Sequence, residues 1–561
     1  MSPLAATPVS TESMALVAFT GVASVILLLC IVTGPERDDL TEFYTGFGRL
    51  GPLRNGLAIA GDYISAATVL GTCGVVALTG YDGAVLALAT ALSLTLLMFL
   101  LAEPLRNAGQ FTMGDVLARR MPGRAARLAA CLVTLAALMP MMLVQLAGAG
   151  DLLGFLLGFD STGFKTGVII TVGGLMISYA AIGGMKGTAV IQILKIVTLL
   201  GSGTVVSLLI LRRFDWNPGT LLAAAVAHND AGSAYLTSGL QFVHSGSPRL
   251  DMISSYVTVM LGGAALPHVT MRMYTASHAR EVRRSMSWAV TSTGVFALMI
   301  SVIGFGATAL VGSKVIATAD PQGNTAFLLG SRAAFGAELS TVGALVFTTV
   351  TTALFLTLLA SVSGMILACA NSLAHDVFAH WGRSRPTPRR EMALARYSAL
   401  AVGAVTIALA TWFQHRSLQP LVFLALGIGA SALAPALVYS LFWRRYTRTG
   451  LLCTLIGGTL SSMVLITGTT LVSGNPASAF PDQDFTWFPF TTPGLVSIPL
   501  GFFLGWLGTV LTAPRKAQAQ RHLYEAVEGW ILAGAPVAPP AGPTTRTGTG
   551  TESGRGSGRT G

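Results

Sequence analysis

The sequence predicts an all-α integral membrane protein of about thirteen transmembrane helices. Three observations carry that class. Of 561 residues, 52% are hydrophobic and only 11% are charged, too little polar surface to cover a soluble globule of this size. Apolar runs recur over residues 14–511, close to the roughly 20 residues that a helix needs to cross a bilayer. The short alternating segments of a transmembrane β-barrel do not appear.

The formal charge of +11 does not point to nucleic acid, because the arginines lie in short loops between apolar runs and no basic stripe is interleaved with aromatics. Cys30, Cys73, Cys131, Cys369 and Cys453 all fall inside apolar runs, without metal-ligand or disulfide spacing, and read as small packing residues. No paired acid and base, nucleophile elbow or phosphate loop is present, so the sequence predicts no enzyme and calls for no cofactor.

In order, the predicted spans are 13-34, 55-81, 83-103, 125-150, 163-182, 188-211, 251-275, 283-311, 340-374, 391-413, 418-443, 449-473 and 494-513. The first apolar run has no basic residue before it and no small-residue cleavage site, so it reads as a span with the N-terminus outside. Loops after odd-numbered spans carry most of the arginines, Arg119, Arg120, Arg124, Arg272, Arg283 and Arg284 among them. They outnumber the basic residues of the opposite loops by roughly three to one, which places them in the cytoplasm of a plasma-membrane protein, with the C-terminus also inside.

The predicted organisation is an N-terminal span and inner loop (1-54), two repeats (55-211 and 251-443) around an outer loop (212-250), two further spans (444-513) and a tail (514-561). The long loops 212–249 and 312–340 read as an external cap, the first with a short apolar helix at 221–227. The tail has an amphipathic patch at 522–532 and then runs out in Pro, Gly, Thr, Ser and Arg, a composition that predicts disorder.

The chemistry concentrates in a few stretches. Residues 55–83 form a span with Asp62 in its first half and Gly71 and Gly74 in its middle. A carboxylate inside a span is costly and faces a bundle interior, a cavity or an ion, unless it lies near an end. Glycines at membrane depth either allow unwinding around a site or let helices pack closely. The span 251-275 repeats the pattern with Gly262, Gly263, Pro267 and His268, which predicts unwinding near Gly262. His268 reads either as a ligand or as a helix-end residue bonded to backbone or water. Two interrupted spans five apart point to inverted repeats around a midplane site.

Between them, Gln192 and Lys195 share a helical face; Lys195 either snorkels to the interface or is buried, able to exchange a proton or face a carboxylate. The span 340-374 sets Thr357, Ser361 and Ser363 among small residues, either as hard oxygen donors for a small cation or as interhelical contacts. Residues 111–123 read as a structural amphipathic inner helix.

The stretches GDYISAATVLG with GYDG, FTMGDVLARR, GGMKGTAVIQILK, LPHVTMRMYTASHAREVRRS and NSLAHDVF resemble the sodium:solute symporter family, in its cation/acetate and monocarboxylate branch. The resemblance covers about residues 1 to 515. It implies a LeuT-like fold of five-plus-five inverted repeats, and a sodium ion between the second and ninth spans. The implied ligands are the carbonyls of Gly61, Ile64 and Thr357 or Ala360, with the Ser361 hydroxyl. Ala360 stands where many members carry a second hydroxyl, Gln192 where many carry Asp, and Lys195 where many carry Gln.

The expected function is inward symport of a short monocarboxylate such as acetate, propionate or pyruvate with sodium, bound near Gly71 and Gly74 against Gly262 and Gly263, with Asp62, Gln192 and Lys195 serving coupling. Its partners are the acid, the coupling ion and membrane lipid; the oligomeric state stays open. A proton in place of sodium, or an amino acid such as proline in place of the acid, are the alternatives within transport. A membrane sensor is the alternative outside it, although the tail offers no output domain.

Overall fold

The computed structural model describes residues 11–534 apart from 35–39, 47–49, 160, 244, 337–340, 382–385 and 476–477. Among these residues the regular structure is helical, with one isolated bridge between Ser473 and Phe480. The order is α1 (Thr11–Thr33), α2 (Pro52–Tyr63), α3 (Ala66–Thr79), α4 (Tyr81–Ala108), α5 (Met113–Arg120), α6 (Arg124–Leu157), α7 (Thr162–Arg213), α8 (Pro218–Ala227), α9 (Pro248–Ala265) and α10 (Pro267–Thr275). There follow α11 (Ala279–Val311), α12 (Gly343–Phe378), α13 (Pro388–Phe413), α14 (Gln419–Phe442), α15 (Arg448–Thr467), α16 (Gly494–Val510) and α17 (Pro514–Ala533).

Among the described residues, 8 helices are long and apolar enough to cross a membrane, or up to 11 when each bent pair is one span. The 52-residue α7 holds the two predicted spans 163-182 and 188-211, interrupted at Gly184, whose φ of 53° and ψ of −156° are not helical. Glycine meets that left-handed φ without the steric penalty of a Cβ. At the centre stands α12, whose apolar window is wholly buried. It packs on α7, α6, α1 and α13.

The face carrying the Arg-rich loops is tied together by short elements. Helix α5, the predicted amphipathic helix, opens with a capping box in which the Thr112 hydroxyl accepts from Asp115 N–H and the Asp115 carboxylate accepts from the Thr112 backbone. Asp115 also pairs with Arg127 (2.8 Å) and His375 (3.1 Å), and His375 Nδ1 reaches Glu391 (2.7 Å), joining α5 to α6, α12 and α13. Burial alone would raise the Asp115 carboxyl, but His375 and Arg127 outweigh it and hold it below the usual carboxylate range.

Arg120 is not the solvated topology residue that the loop count suggests. It is 1% exposed and donates to the carbonyls of Tyr439, Ser440, Arg444 and Tyr446 at 2.9 to 3.1 Å. The Tyr524 ring of α17 lies 4.1 Å from its guanidinium carbon. The predicted disordered tail therefore does not begin at 514: α17 docks through Tyr524, whose hydroxyl donates to Leu441 O (2.8 Å), and through Glu528, which pairs with Arg444 (2.9 Å). Residues 535–561 lie outside the described residues. Arg120→Met removes four hydrogen bonds at once, although Tyr439 O keeps the one from Trp443 N–H, and should lower unfolding stability by about 3 kcal/mol or more. An unchanged thermal midpoint in detergent would refute that role.

Candidate functional site

Helix α2 stops at Tyr63 because Ile64 and Ser65 are extended (ψ of 100° and 169°), and α3 restarts with Ser65 as its N-cap. The Ser65 hydroxyl accepts from Thr68 N–H at 3.2 Å and shares a hydrogen bond with the Thr68 hydroxyl at 3.0 Å, using a residue type that favours this position. The halves are bent by 63°. The break thus falls at Ile64–Ser65, and not at Gly71 to Gly74 as expected. Gly71 and Gly74 lie inside α3. Gly71 lines a cavity, while a Cβ on Gly74 would sit 2.6 Å from Gly323 O, so Gly74 admits a loop.

The second break is corrected in the same way. Gly262 and Gly263 are helical residues of α9, and the chain turns extended at Leu266 just before Pro267, with a 41° bend. Proline removes a backbone donor and forces the preceding residue out of the helical region. The two glycines serve close packing: a Cβ on Gly262 would lie 2.2 Å from Leu426 O, and one on Gly263 2.6 Å from Ser93 Oγ.

Where α2, α7, α10 and α12 meet, a buried polar cluster forms. Asp62 accepts from Gln192 Nε2 (2.7 Å) through one oxygen and pairs with Arg272 Nε through the other. Arg272 also donates to Thr188 Oγ1 (3.2 Å) and Met185 O (3.3 Å). Gln192 Nε2 reaches on to Ala360 O (2.9 Å). Lys195 is fully buried and does not snorkel: its Nζ donates to Gly61 O (2.6 Å) and Ser361 Oγ (2.9 Å), and Ser361 passes its own proton to Thr357 O (2.7 Å). His268, in α10, is also buried, with Nδ1 unpartnered.

The structure thus gathers Gly61, Thr357, Ala360, Ser361, Asp62, Gln192 and Lys195 into one network. Ile64 stands beside it at the break. Gly71, Gly74, Gly262 and Gly263 are outside it. Two glycines make the approach possible: a Cβ on Gly61 would lie 2.5 Å from Gln192 O, and one on Gly364 2.6 Å from Asp62 Oδ1.

Above this layer a cavity of about 720 Å³ runs from Lys165 in the first turn of α7 and the loops carrying Asp320 and Arg416 down to Tyr63 and Ser65 at the break. Its floor includes Ala66 and Ala67, whose N–H groups head α3 and have no partner within the helix. A half-helix N-terminus of this kind favours an anion.

Arg272 and Gln145 are functional candidates absent from the sequence reading. Arg272 counts there as an inner-loop cation, although it directly follows the Pro267 interruption. Gln145 is a lone polar side chain amid apolar α6 residues; it is 1% exposed, lines the cavity, and neither of its amide heteroatoms has a partner.

The sequence profile described as "Sodium:solute symporter family" matches residues 43–458. A monocarboxylic acid transporter of Corynebacterium glutamicum is 36% identical over 509 residues, covering 88% of this chain and 91% of its own. An uncharacterized symporter, YwcA of Bacillus subtilis, is 35% identical over 498 residues, covering 89% of this chain and 94% of its own. The structure of a Na+-coupled sialic acid symporter in a substrate-bound outward-open state superposes with a TM-score of 0.68 at 14% identity, over 89% of this chain and 98% of that one, and supports the LeuT-like fold. The matched profile and both relatives are those of transporters and not of enzymes, and the chain belongs to the sodium:solute symporter family.

Proposed function

We propose that this chain imports a short monocarboxylate, of the class of acetate, propionate and pyruvate, by cation symport across the plasma membrane. The observation that carries the reading is the cavity that ends on the N-terminal turn of α3, where aligned N–H groups favour a carboxylate. The relative named for monocarboxylic acids supports the substrate class. With the Arg-rich face cytoplasmic, the cavity opens outward and the Asp62–Arg272 layer closes the path below it. A one-to-one symport of a carboxylate with a monovalent cation moves no net charge, so the concentration gradient of the cation drives accumulation, at about 1.4 kcal/mol for each tenfold, and only a further cation would draw about 2.3 kcal/mol from 100 mV.

For the coupling ion, the family resemblance favours sodium on oxygens of Gly61, Ile64, Thr357, Ala360 and Ser361. A second reading is favoured by one contact. The ammonium of Lys195 already occupies Gly61 O and Ser361 Oγ, so a proton carried by Lys195 can stand in for the ion. The test is counterflow in proteoliposomes with labelled acetate, pyruvate and proline, varying sodium and pH separately. Exchange of proline alone would overturn the monocarboxylate reading.

Ser361→Ala separates the two ions. If sodium binds there, loss of one of about five oxygens raises the sodium concentration for half-maximal uptake severalfold. If Lys195 holds the place, uptake is indifferent to sodium before and after the change, and its pH profile moves instead.

A further inference from the structure

Gln145 sits in the interior of α6, on the wall of the cavity that descends to Ser65, Ala66 and Ala67. Its side chain is 1% exposed, and both Nε2 and Oε1 lack partners. A buried amide needs an acceptor for its nitrogen and a donor for its oxygen; leaving either unmet costs about 1 to 3 kcal/mol. The hydroxyls of Ser65 and Thr68 bond to each other, and the other unpartnered polar atoms on the cavity wall, Gln241 Oε1 and Thr325 Oγ1, belong to the loop segments nearer its mouth. The neighbouring wall residues Met141, Val144, Leu266 and Phe423 are apolar.

A carboxylate only accepts hydrogen bonds. It can take the N–H groups of α3 and one from Gln145 Nε2, but it offers nothing to Gln145 Oε1. An acid with a hydroxyl on the carbon next to the carboxylate supplies that donor, at a spacing that matches the two ends of one amide. A 2-oxo acid adds only another acceptor. We propose that Gln145 makes this transporter select 2-hydroxy monocarboxylates over their unsubstituted and 2-oxo counterparts. The proposal rests on the monocarboxylate reading above and names the substrate within it.

The test uses three acids of equal carbon count, propionate, lactate and pyruvate, as competitors of labelled lactate in counterflow by the purified full-length chain. In the wild type, lactate should compete at a concentration about tenfold lower than propionate or pyruvate, the ratio expected when one buried oxygen is satisfied in one case and stranded in the others. Gln145→Leu should erase that ratio, and Gln145→Glu, which offers acceptors alone, should disfavour all three. The ratio, and not the absolute rate, is the readout. As a check independent of transport, lactate should raise the thermal midpoint of the purified wild type more than propionate does, and this difference should vanish in Gln145→Leu. Equal competition by the three acids in the wild type, or a ratio that survives Gln145→Leu, overturns the selection while leaving monocarboxylate transport standing. Failure of all three acids to exchange or to shift the midpoint overturns both.

Discussion

Asp62→Ala should abolish uptake and also lower the stability of the protein. On sequence grounds alone, Asp62 is a costly carboxylate beside a break, and its removal is expected to spare folding. The structure changes that expectation, because Asp62 faces Arg272 with both side chains 1% exposed. Removing one partner of a buried pair leaves the other charge uncompensated, at about 3 to 5 kcal/mol; this is more than a hundredfold in any equilibrium that depends on the pair. Uptake depends on it because Asp62 also holds Gln192, which in turn holds Ala360 O on α12. The second change Arg272→Met in the Asp62→Ala background should restore the thermal midpoint, since no buried charge is then stranded, but not uptake. Wild-type uptake in Asp62→Ala at matched protein in the membrane would reduce the residue to a packing element.

Much of this arrangement was legible in the sequence, at the level of which helices matter. Asp62 inside one apolar run and Pro267 inside another mark the two broken helices, and the polar face of Gln192 and Lys195 marks the third wall. The places of the breaks were less legible. Glycine is read as a weak point in a helix, yet Gly74, Gly262 and Gly263 are helical and serve close contacts with Gly323, Leu426 and Ser93. Sequence alone does not separate these roles, because both follow from the missing Cβ. The usable signal was Ser65, an N-cap type three residues before Thr68. Arg272 was hidden by position: it lies near a predicted span end, and only the tight turn Met271–Thr275 carries it back to Asp62. The helix Pro514–Ala533 was hidden by composition, since its order comes from Tyr524 stacked on Arg120 and from the pair of Glu528 with Arg444.

Lys195→Met should abolish accumulation driven by a pH gradient while leaving exchange of the acid across the membrane intact. The argument begins with charge. Asp62 and Arg272 neutralise each other, so the partners of the Lys195 ammonium are the neutral oxygens of Gly61 and Ser361. A cation held only by neutral dipoles in a dry bundle is stabilised when a substrate carboxylate arrives in the cavity above, and is destabilised when it leaves. On the reading in which Lys195 carries the coupling proton, carriage of the proton and carriage of the acid then become one coupled event. Methionine keeps the length and bulk of the side chain but carries no proton, so exchange persists with weaker binding of the acid, because the coupling is reciprocal, and the link to the gradient is cut. The same change frees Gly61 O and Ser361 Oγ, so if the Lys195 proton is the coupling ion, Lys195→Met should gain a response to sodium that the wild type lacks. The decisive measurement is uptake into proteoliposomes under an imposed pH gradient and, separately, an imposed sodium gradient. Profiles of Lys195→Met that overlay the wild type in both would end the reading of Lys195 as a built-in cation and return the site to sodium.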